Sequence, residues 1–207
     1  MDIIKTSLLV VFHPTDGFEC IKAQRERFNY LPAIILLFMV IAERVAYIYL
    51  THYPLATLLP RDANIWLEIM RMMLPILTWV VADYAVTTIM DGETLIRETL
   101  MATAYAMLPY IILIIPLALI SHLMGQGELG LYNALQNIMW AWVFILFFIS
   151  VQTLNEYNFW RTLGICILSI IAMLLIWAIA MLFFALSSQL YHFIEEVILE
   201  IRMLYLK

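Results

Sequence analysis

One uncharged stretch constrains the fold of this chain more than any other feature of its sequence. It runs from Met101 to Ile120 and, as a helix rising about 1.5 Å per residue, it spans roughly 30 Å, the thickness of a hydrocarbon core. Pro109 and Pro116 lie inside it, and each removes a backbone donor and disturbs the preceding helical turn. Because the freed carbonyl groups need partners from neighbouring helices or water, we expect a kinked transmembrane helix at the centre of a bundle.

The composition assigns the whole chain to the class of integral membrane proteins. Of its 207 residues 65% are hydrophobic, and the mean hydropathy is +0.93. A water-soluble domain of this length has no place to bury so much apolar surface. The net charge of −5 argues against nucleic-acid binding. We predict an all-α, polytopic membrane protein with five transmembrane helices, with amphipathic interfacial helices at both termini and no cofactor.

Polar residues between the apolar runs divide the chain into three predicted parts. These are an N-terminal turn with an interfacial amphipathic helix at 1–29, a five-span domain at 30–186, and a C-terminal amphipathic acidic helix at 187–207. The predicted spans cover about residues 30–53, 68–90, 101–120, 134–154 and 161–186.

The N-terminal part is predicted to lie against the membrane surface. Pro14 biases the residue before it away from helix, and Thr15 or Asp16 can then cap a helix that runs to about Asn29. The basic residues of this helix suit an anionic, cytoplasmic leaflet; they are Lys22, Arg25 and Arg27. Counting basic residues over all loops, we predict a cytoplasmic N-terminus and an external C-terminus.

Three ionisable residues, Glu43, Arg44 and Asp83, are predicted to lie within the first two spans. Each costs roughly 2.5 kcal/mol or more near the bilayer centre by insertion scales, so they should face the bundle interior and pair. A side chain on the first helix leans toward the N-terminus of that helix, which brings Arg44 toward Asp83. Two interpretations stay open, a buried pair that fixes helix register and a polar site in a substrate or proton path. We do not expect an enzyme, because no nucleophile stands with a base.

The segment Gln189–Lys207 repeats apolar residues at steps of three and four, which is typical of an amphipathic helix. Glu195, Glu196 and Glu200 lie on its polar face, which suits a basic protein surface better than an anionic lipid surface. We therefore favour binding to protein, either a second copy or a partner, over binding to lipid alone. His192 with Glu195 and Glu196 lacks a fourth ligand, so no metal site is expected.

Three motifs are distributed along most of the chain. They are His13–Lys22, then Gly92-Glu93 with Ala104-Tyr105 and Pro109-Tyr110, and finally Asn155–Phe159 with Arg161-Thr162-Leu163. Together they resemble the Yip family of Ypt/Rab-interacting, five-span membrane proteins. Ala104, Tyr105 and Pro109 are similar to the family's alanine-tyrosine-x-x-x-proline signature in the third span. The resemblance implies the five-span fold and no family-wide catalytic residue.

The resemblance is specifically to the bacterial branch of this family. Eukaryotic members contact Rab-type GTPases through a long cytosolic region, and that function is not expected here, since only about 29 residues precede the first predicted span. The resemblance implies a multi-pass protein of the bacterial plasma membrane. Its expected partners are membrane lipids and another membrane protein, such as the permease of an ABC-type sugar transporter, or a second copy. The leading hypothesis is an accessory or scaffolding protein. The alternative is a small carrier or lipid-handling protein with a polar path near the first two spans.

Overall fold

A computed structural model describes residues 3–23, 30–52, 55, 61 and 63–205 of the chain, and these residues form helices and connecting turns without a strand. The helices are α1 (Ile3–Phe12), α2 (Pro14–Ala23), α3 (Leu31–Leu50), α4 (Ile65–Ile89), α5 (Ile96–Ala106), α6 (Leu108–Ile120), α7 (Leu129–Asn155) and α8 (Phe159–Tyr205). Two short 3₁₀ turns, Ser121–Leu123 and Gln126–Glu128, join α6 to α7.

Five helical stretches of the described residues are long and apolar enough to cross a membrane. They are Leu31–Leu50, Ile65–Ile89, Ile96–Leu123, Gln126–Asn155 and Phe159–Glu196. The prediction of an all-α membrane protein with five spans is therefore confirmed. Consecutive spans must run in opposite directions, so the N-terminal helices and the end of α8 lie on opposite faces of the membrane.

The third span, made of α5 and α6, is the core of the bundle. Buried residues make up 67% of its apolar window, against 11% to 33% for the other four spans. Its helix breaks at Met107, and Pro109 lies in the first turn of α6, where its missing N–H removes no helical hydrogen bond. Pro116 lies inside α6, which continues past it. The prediction of a kinked, central helix is confirmed, with the break just before Pro109.

The N-terminal part contains two helices instead of the one that was predicted. Helix α2 begins at Pro14, so the prediction that Thr15 or Asp16 precedes the helix as its cap was wrong. Proline is well suited to a first helical position, because its fixed φ is already helical and its absent donor would have no partner there. The rest of the predicted helix, residues 24–29 with Arg25 and Arg27, lies outside the described residues.

Helices α1 and α2 pack on each other and on the bundle. Phe18 and Ile21 of α2 are buried in the main apolar core, and among the spans α7 is the principal neighbour of this helix. A Cβ atom on Gly17 would meet the backbone of Val10 at 2.8 Å, so the two helices cross this closely only because residue 17 has no side chain. The hairpin is thus part of the folded domain, and its buried face touches protein.

Helix α8 runs for 47 residues without a break, a length of about 70 Å. The prediction of a separate C-terminal helix was therefore wrong, while the end of the fifth span near Leu186 stays a prediction. No glycine or proline follows Gly164, so nothing in the sequence interrupts the helix. The hydroxyl of Ser187 is satisfied within the helix, because it donates to the carbonyl oxygen of Phe183 at 2.8 Å.

Only the first part of α8 packs on the other helices, chiefly on α4. The indole N–H of Trp177 donates to Oγ1 of Thr78 on α4 at 3.2 Å. Beyond Trp177 every side chain that the structure describes is exposed. We call residues 178–205 the free arm.

Candidate functional site

A cluster of three charged side chains joins α3 to α4. Arg44 donates to Oε2 of Glu68 through Nε at 3.2 Å and Nη2 at 2.6 Å. Arg71, one turn further along α4, donates to Oε1 of the same carboxylate at 2.9 Å. The side chain of Glu68 is 4% exposed, that of Arg44 25% and that of Arg71 73%. A buried carboxylate is thus held by two guanidinium groups, as a buried charge requires.

The predicted pair between Arg44 and Asp83 was wrong. The guanidinium of Arg44 binds Glu68 instead. Asp83 lies fifteen residues after Glu68 on α4, which is about 22 Å further along the helix axis. The prediction treated Glu68 as the start of the second span. In the structure Asn64 caps α4 through hydrogen bonds from Trp66 and Leu67, so Glu68 already faces α3 in the first turn of the helix.

Asp83 links α4 to α8. It is buried, and the hydroxyl of Ser169 on α8 donates to Oδ1 at 3.3 Å. The backbone carbonyl oxygen of Asp83 accepts a hydrogen bond from the hydroxyl of Thr87 at 2.7 Å. The position of Asp83 inside the bundle agrees with the prediction that a charged residue in a span faces the interior.

Glu43, the third member of the predicted cluster, has surroundings of its own. Its Oε2 atom is buried and has no hydrogen-bond partner among the described residues. Tyr110 of α6 lies within electrostatic reach of both Glu43 and Arg44. The three predicted residues therefore do not form one cluster. Glu43 and Arg44 both lie near Tyr110, but Arg44 pairs with Glu68, and Asp83 binds Ser169 elsewhere.

At the opposite end of the bundle, two loops that carry the motifs meet in a second polar cluster. Oδ1 of Asn155 accepts hydrogen bonds from the hydroxyl and the backbone N–H of Thr94, the latter at 3.4 Å. The hydroxyl of Tyr157 donates to the carbonyl oxygen of Met90 at 3.2 Å, and Arg161 donates to the same oxygen. We call this group the loop cluster.

Lys22 of α2 ties the N-terminal hairpin to the loop cluster. Its Nζ atom donates to Glu156 at 2.7 Å and lies 3.5 Å from Glu93. This hydrogen bond and the positive charge lower the pKa of Glu156, which stands in the loop before α8. Lys22 was predicted to face an anionic leaflet, and its two carboxylate partners instead belong to the protein.

The family signature in the third span is buried in the core. Ala104 and Tyr105 have no exposed surface, and Pro109 is buried at the start of α6. Tyr105 also lies close to Thr6 of α1. These positions explain the signature as packing between the central span and the N-terminal hairpin.

The acidic residues of the free arm lie far from both clusters. Glu195 and Glu196 are exposed, and Nδ1 of His192 lies 3.9 Å from a carboxylate oxygen of Glu195. The side chain of Glu200 lies outside the described ones. Their role in binding a partner stays a prediction.

A groove with a volume of about 740 Å³ opens between α4, α7 and α8. Its walls are aliphatic and aromatic, with Trp79, Phe144 and Ile170 among them. Arg44 and Arg71 also line it, and they are the charged side chains of its wall. We call it the α4–α8 groove.

The sequence contained a signal for the missed partner of Arg44. Glu68 and Arg71 are three residues apart, the spacing at which side chains meet on a helix. Placing both just inside the second span, instead of at its edge, would have given Arg44 a nearer acid than Asp83. Ser169 carried no comparable signal, because one serine in an apolar span is common.

Five apolar helices around a buried, kinked central span define an integral, multi-pass helical membrane protein. Residues 8–190 match the family model described as the Yip1 domain. The chain therefore belongs to the Yip1-domain family, which confirms the resemblance found in its motifs. No curated protein and no solved structure matched the chain.

Proposed function

We propose that this Yip1-domain protein is a non-catalytic accessory or scaffolding subunit that binds another membrane protein through the free arm. The observation that supports this function is the exposure of the arm. Every side chain from Ala178 to Glu196 is exposed, and most of them are apolar. Phe183 and Phe184, for example, are 73% and 78% exposed. Within the membrane such a surface contacts lipid or the helices of another protein, and where the helix leaves the membrane its apolar side chains favour a protein partner.

The length of α8 carries the end of the free arm beyond the hydrocarbon core. Trp177 contacts Thr78, which lies thirteen residues, or about 20 Å, from the start of α4, so roughly the first thirteen residues of the arm run alongside the rest of α4. The free arm adds about 42 Å. Tyr191, Phe193 and Ile194 then meet headgroups or water, and burying them against a partner would recover roughly 1.5–3 kcal/mol for each fully buried side chain.

Charge on the arm favours a particular kind of partner. Glu196 and Glu200 are one turn apart on α8 and repel each other unless cations lie nearby. A basic surface on the partner supplies those cations and also orients the encounter. The permease of an ABC-type sugar transporter is the proposed partner, on the strength of the family resemblance, and a second copy of the chain is the other candidate.

Reversing the charge of the arm should break the complex. We expect Glu196→Lys with Glu200→Lys to reduce co-purification of the partner permease in mild detergent by about tenfold or more, because like charges across an interface cost several kcal/mol. The matched control is Asp16→Lys with Glu19→Lys on the exposed face of α2, which changes the net charge equally and should leave recovery unchanged.

The same variant distinguishes whether the free arm binds a protein or the lipid surface. If the arm lies on lipid alone, the two lysines strengthen flotation with anionic liposomes, by roughly 1 kcal/mol per basic residue near the surface. Unchanged recovery of the permease together with stronger flotation would contradict partner binding by the arm.

The alternative of a small carrier has less support from the structure. Asp83 and the Arg44–Glu68–Arg71 cluster lie in opposite halves of α4, which is a poor arrangement for one polar path. Solute uptake by the purified protein alone in liposomes would favour the carrier over the accessory subunit.

We also propose that the protein lies in a bacterial plasma membrane with the N-terminus in the cytoplasm. Lys22 of the N-terminal hairpin and Arg161 stand on the same face of the bundle, and basic residues favour the cytoplasmic side. In a Cys20→Ser, Cys166→Ser background, an impermeant thiol reagent should label Gln126→Cys in intact cells. It should label Glu19→Cys only after permeabilisation, and the reverse pattern would overturn this orientation.

A further inference from the structure

We propose that the α4–α8 groove binds an anionic phospholipid, with an acyl chain along its apolar walls and the phosphate group held by Arg44 and Arg71. This site goes beyond the proposed docking function, because it lies on the bundle and uses none of the free arm. It would place one specific lipid between the second, fourth and fifth spans.

The size and the lining of the groove suit a lipid chain. Its volume of about 740 Å³ falls within the range of roughly 300–1,000 Å³ that ligand pockets occupy. From Arg71 to Trp79 it follows α4 for about 12 Å. Phe144 and Ile170 line it and are 67% and 49% exposed, so the groove is open toward the surrounding bilayer.

The two arginines stand within reach of the depth where a lipid phosphate lies. Arg44 is six residues before the end of α3, and Arg71 is six residues after the start of α4. Each is therefore about 9 Å below the same face of the bundle. From this depth long arginine side chains reach the interface, while their stems lie along apolar surface.

The charge at this end of the groove is complementary to a phosphate. Two guanidinium groups share the carboxylate of Glu68, and among the described residues Arg71 gives it one hydrogen bond. A guanidinium has five N–H donors in a planar fork that fits a phosphate. Glu43 is not among the residues that line the groove, so its carboxylate does not oppose the phosphate there.

The experiment measures lipid binding to the purified, delipidated full-length protein by native mass spectrometry. We expect one molecule of phosphatidylglycerol to bind at least about tenfold more tightly than phosphatidylcholine. Arg71→Gln should remove that preference, and Arg71→Lys should keep most of it, because the charge is retained. Glu68 still has Arg44 in both variants, so the fold should survive.

A second pair of variants tests the groove itself. Ile170→Trp fills it and should reduce phosphatidylglycerol binding about tenfold, whereas Ile171→Trp, equally exposed on the next residue of α8, should not. If both variants bind phosphatidylglycerol equally well, the lipid is annular only, and the proposal is overturned.

Two other results identify a different occupant of the groove. If inorganic phosphate at the same concentration as the lipid displaces it, the arginines form a bare anion site. If the protein forms a dimer that Ile170→Trp abolishes, a second chain occupies the groove. Either of these results would also overturn the proposal.

Discussion

Replacing Glu68 by alanine should lower the free energy of unfolding by about 3 kcal/mol. The change leaves Arg44, which is three-quarters buried, without the carboxylate that takes two of its hydrogen bonds. Losing one partner of a buried pair costs roughly 3–5 kcal/mol, and the lower end applies because Arg44 can turn its charge toward the interface. Reversible unfolding in mixed micelles, followed by circular dichroism, measures this loss.

Two controls separate the buried pair from general effects of losing a charge. Arg71→Ala removes an exposed partner of the same carboxylate and should cost at most about 1 kcal/mol. Arg44→Ala combined with Glu68→Ala should destabilise by less than the sum of the single changes, with a coupling of about 1–3 kcal/mol. Arg44→Ala with Asp83→Ala should be additive within about 0.5 kcal/mol, since these residues bind different partners. Additive behaviour of Arg44 with Glu68 would contradict the cluster.

Replacing Gly92 by alanine should be the second most damaging of the changes considered, with a loss of about 2–3 kcal/mol. A methyl group at this position would stand 2.5 Å from Oδ1 of Asn155, 2.6 Å from the hydroxyl of Tyr157 and 2.8 Å from the carbonyl oxygen of Thr87. These atoms must move apart, which breaks hydrogen bonds of the loop cluster in a buried place. Thermal unfolding in detergent and amide hydrogen exchange of residues 90–95 report the change.

Gly125→Ala is the matched control for this loop glycine. A Cβ atom there meets nothing within 4 Å, and φ is −101°, a value that alanine adopts without strain. The expected change in stability is within about 0.5 kcal/mol. Equal losses in the two variants would show that the loop cluster has room for a side chain, and the close packing around Gly92 would then be refuted.

The sequence predicted the central features of the fold because these follow from hydrophobic length and proline. An uncharged run with Pro109 and Pro116 is best accommodated inside a bundle, and the third span is indeed the most buried. The motifs around Gly92 and Asn155 were recognised as a resemblance, and the structure shows their physical basis in hydrogen bonds between two loops.

The partners of individual polar side chains were not predictable in the same way. Arg44 was assigned to Asp83 from estimated depths, and an error of a few residues in where α4 begins was enough to hide Glu68. Helix boundaries are the least certain part of a sequence-based prediction, and pairing across helices depends on them directly. The α4–α8 groove is a further case, because it depends on how three helices diverge and not on any one of them.

The continuity of α8 has a mechanical consequence. Its first turn is anchored by Arg161 to the loop that follows α4, and its other end projects from the far side of the membrane. A tilt of about 10° around Trp177 would displace the tip of the helix by about 7 Å. A rigid helix held in this way would act as a lever, so that a force on the loops at one face would displace the tip on the other.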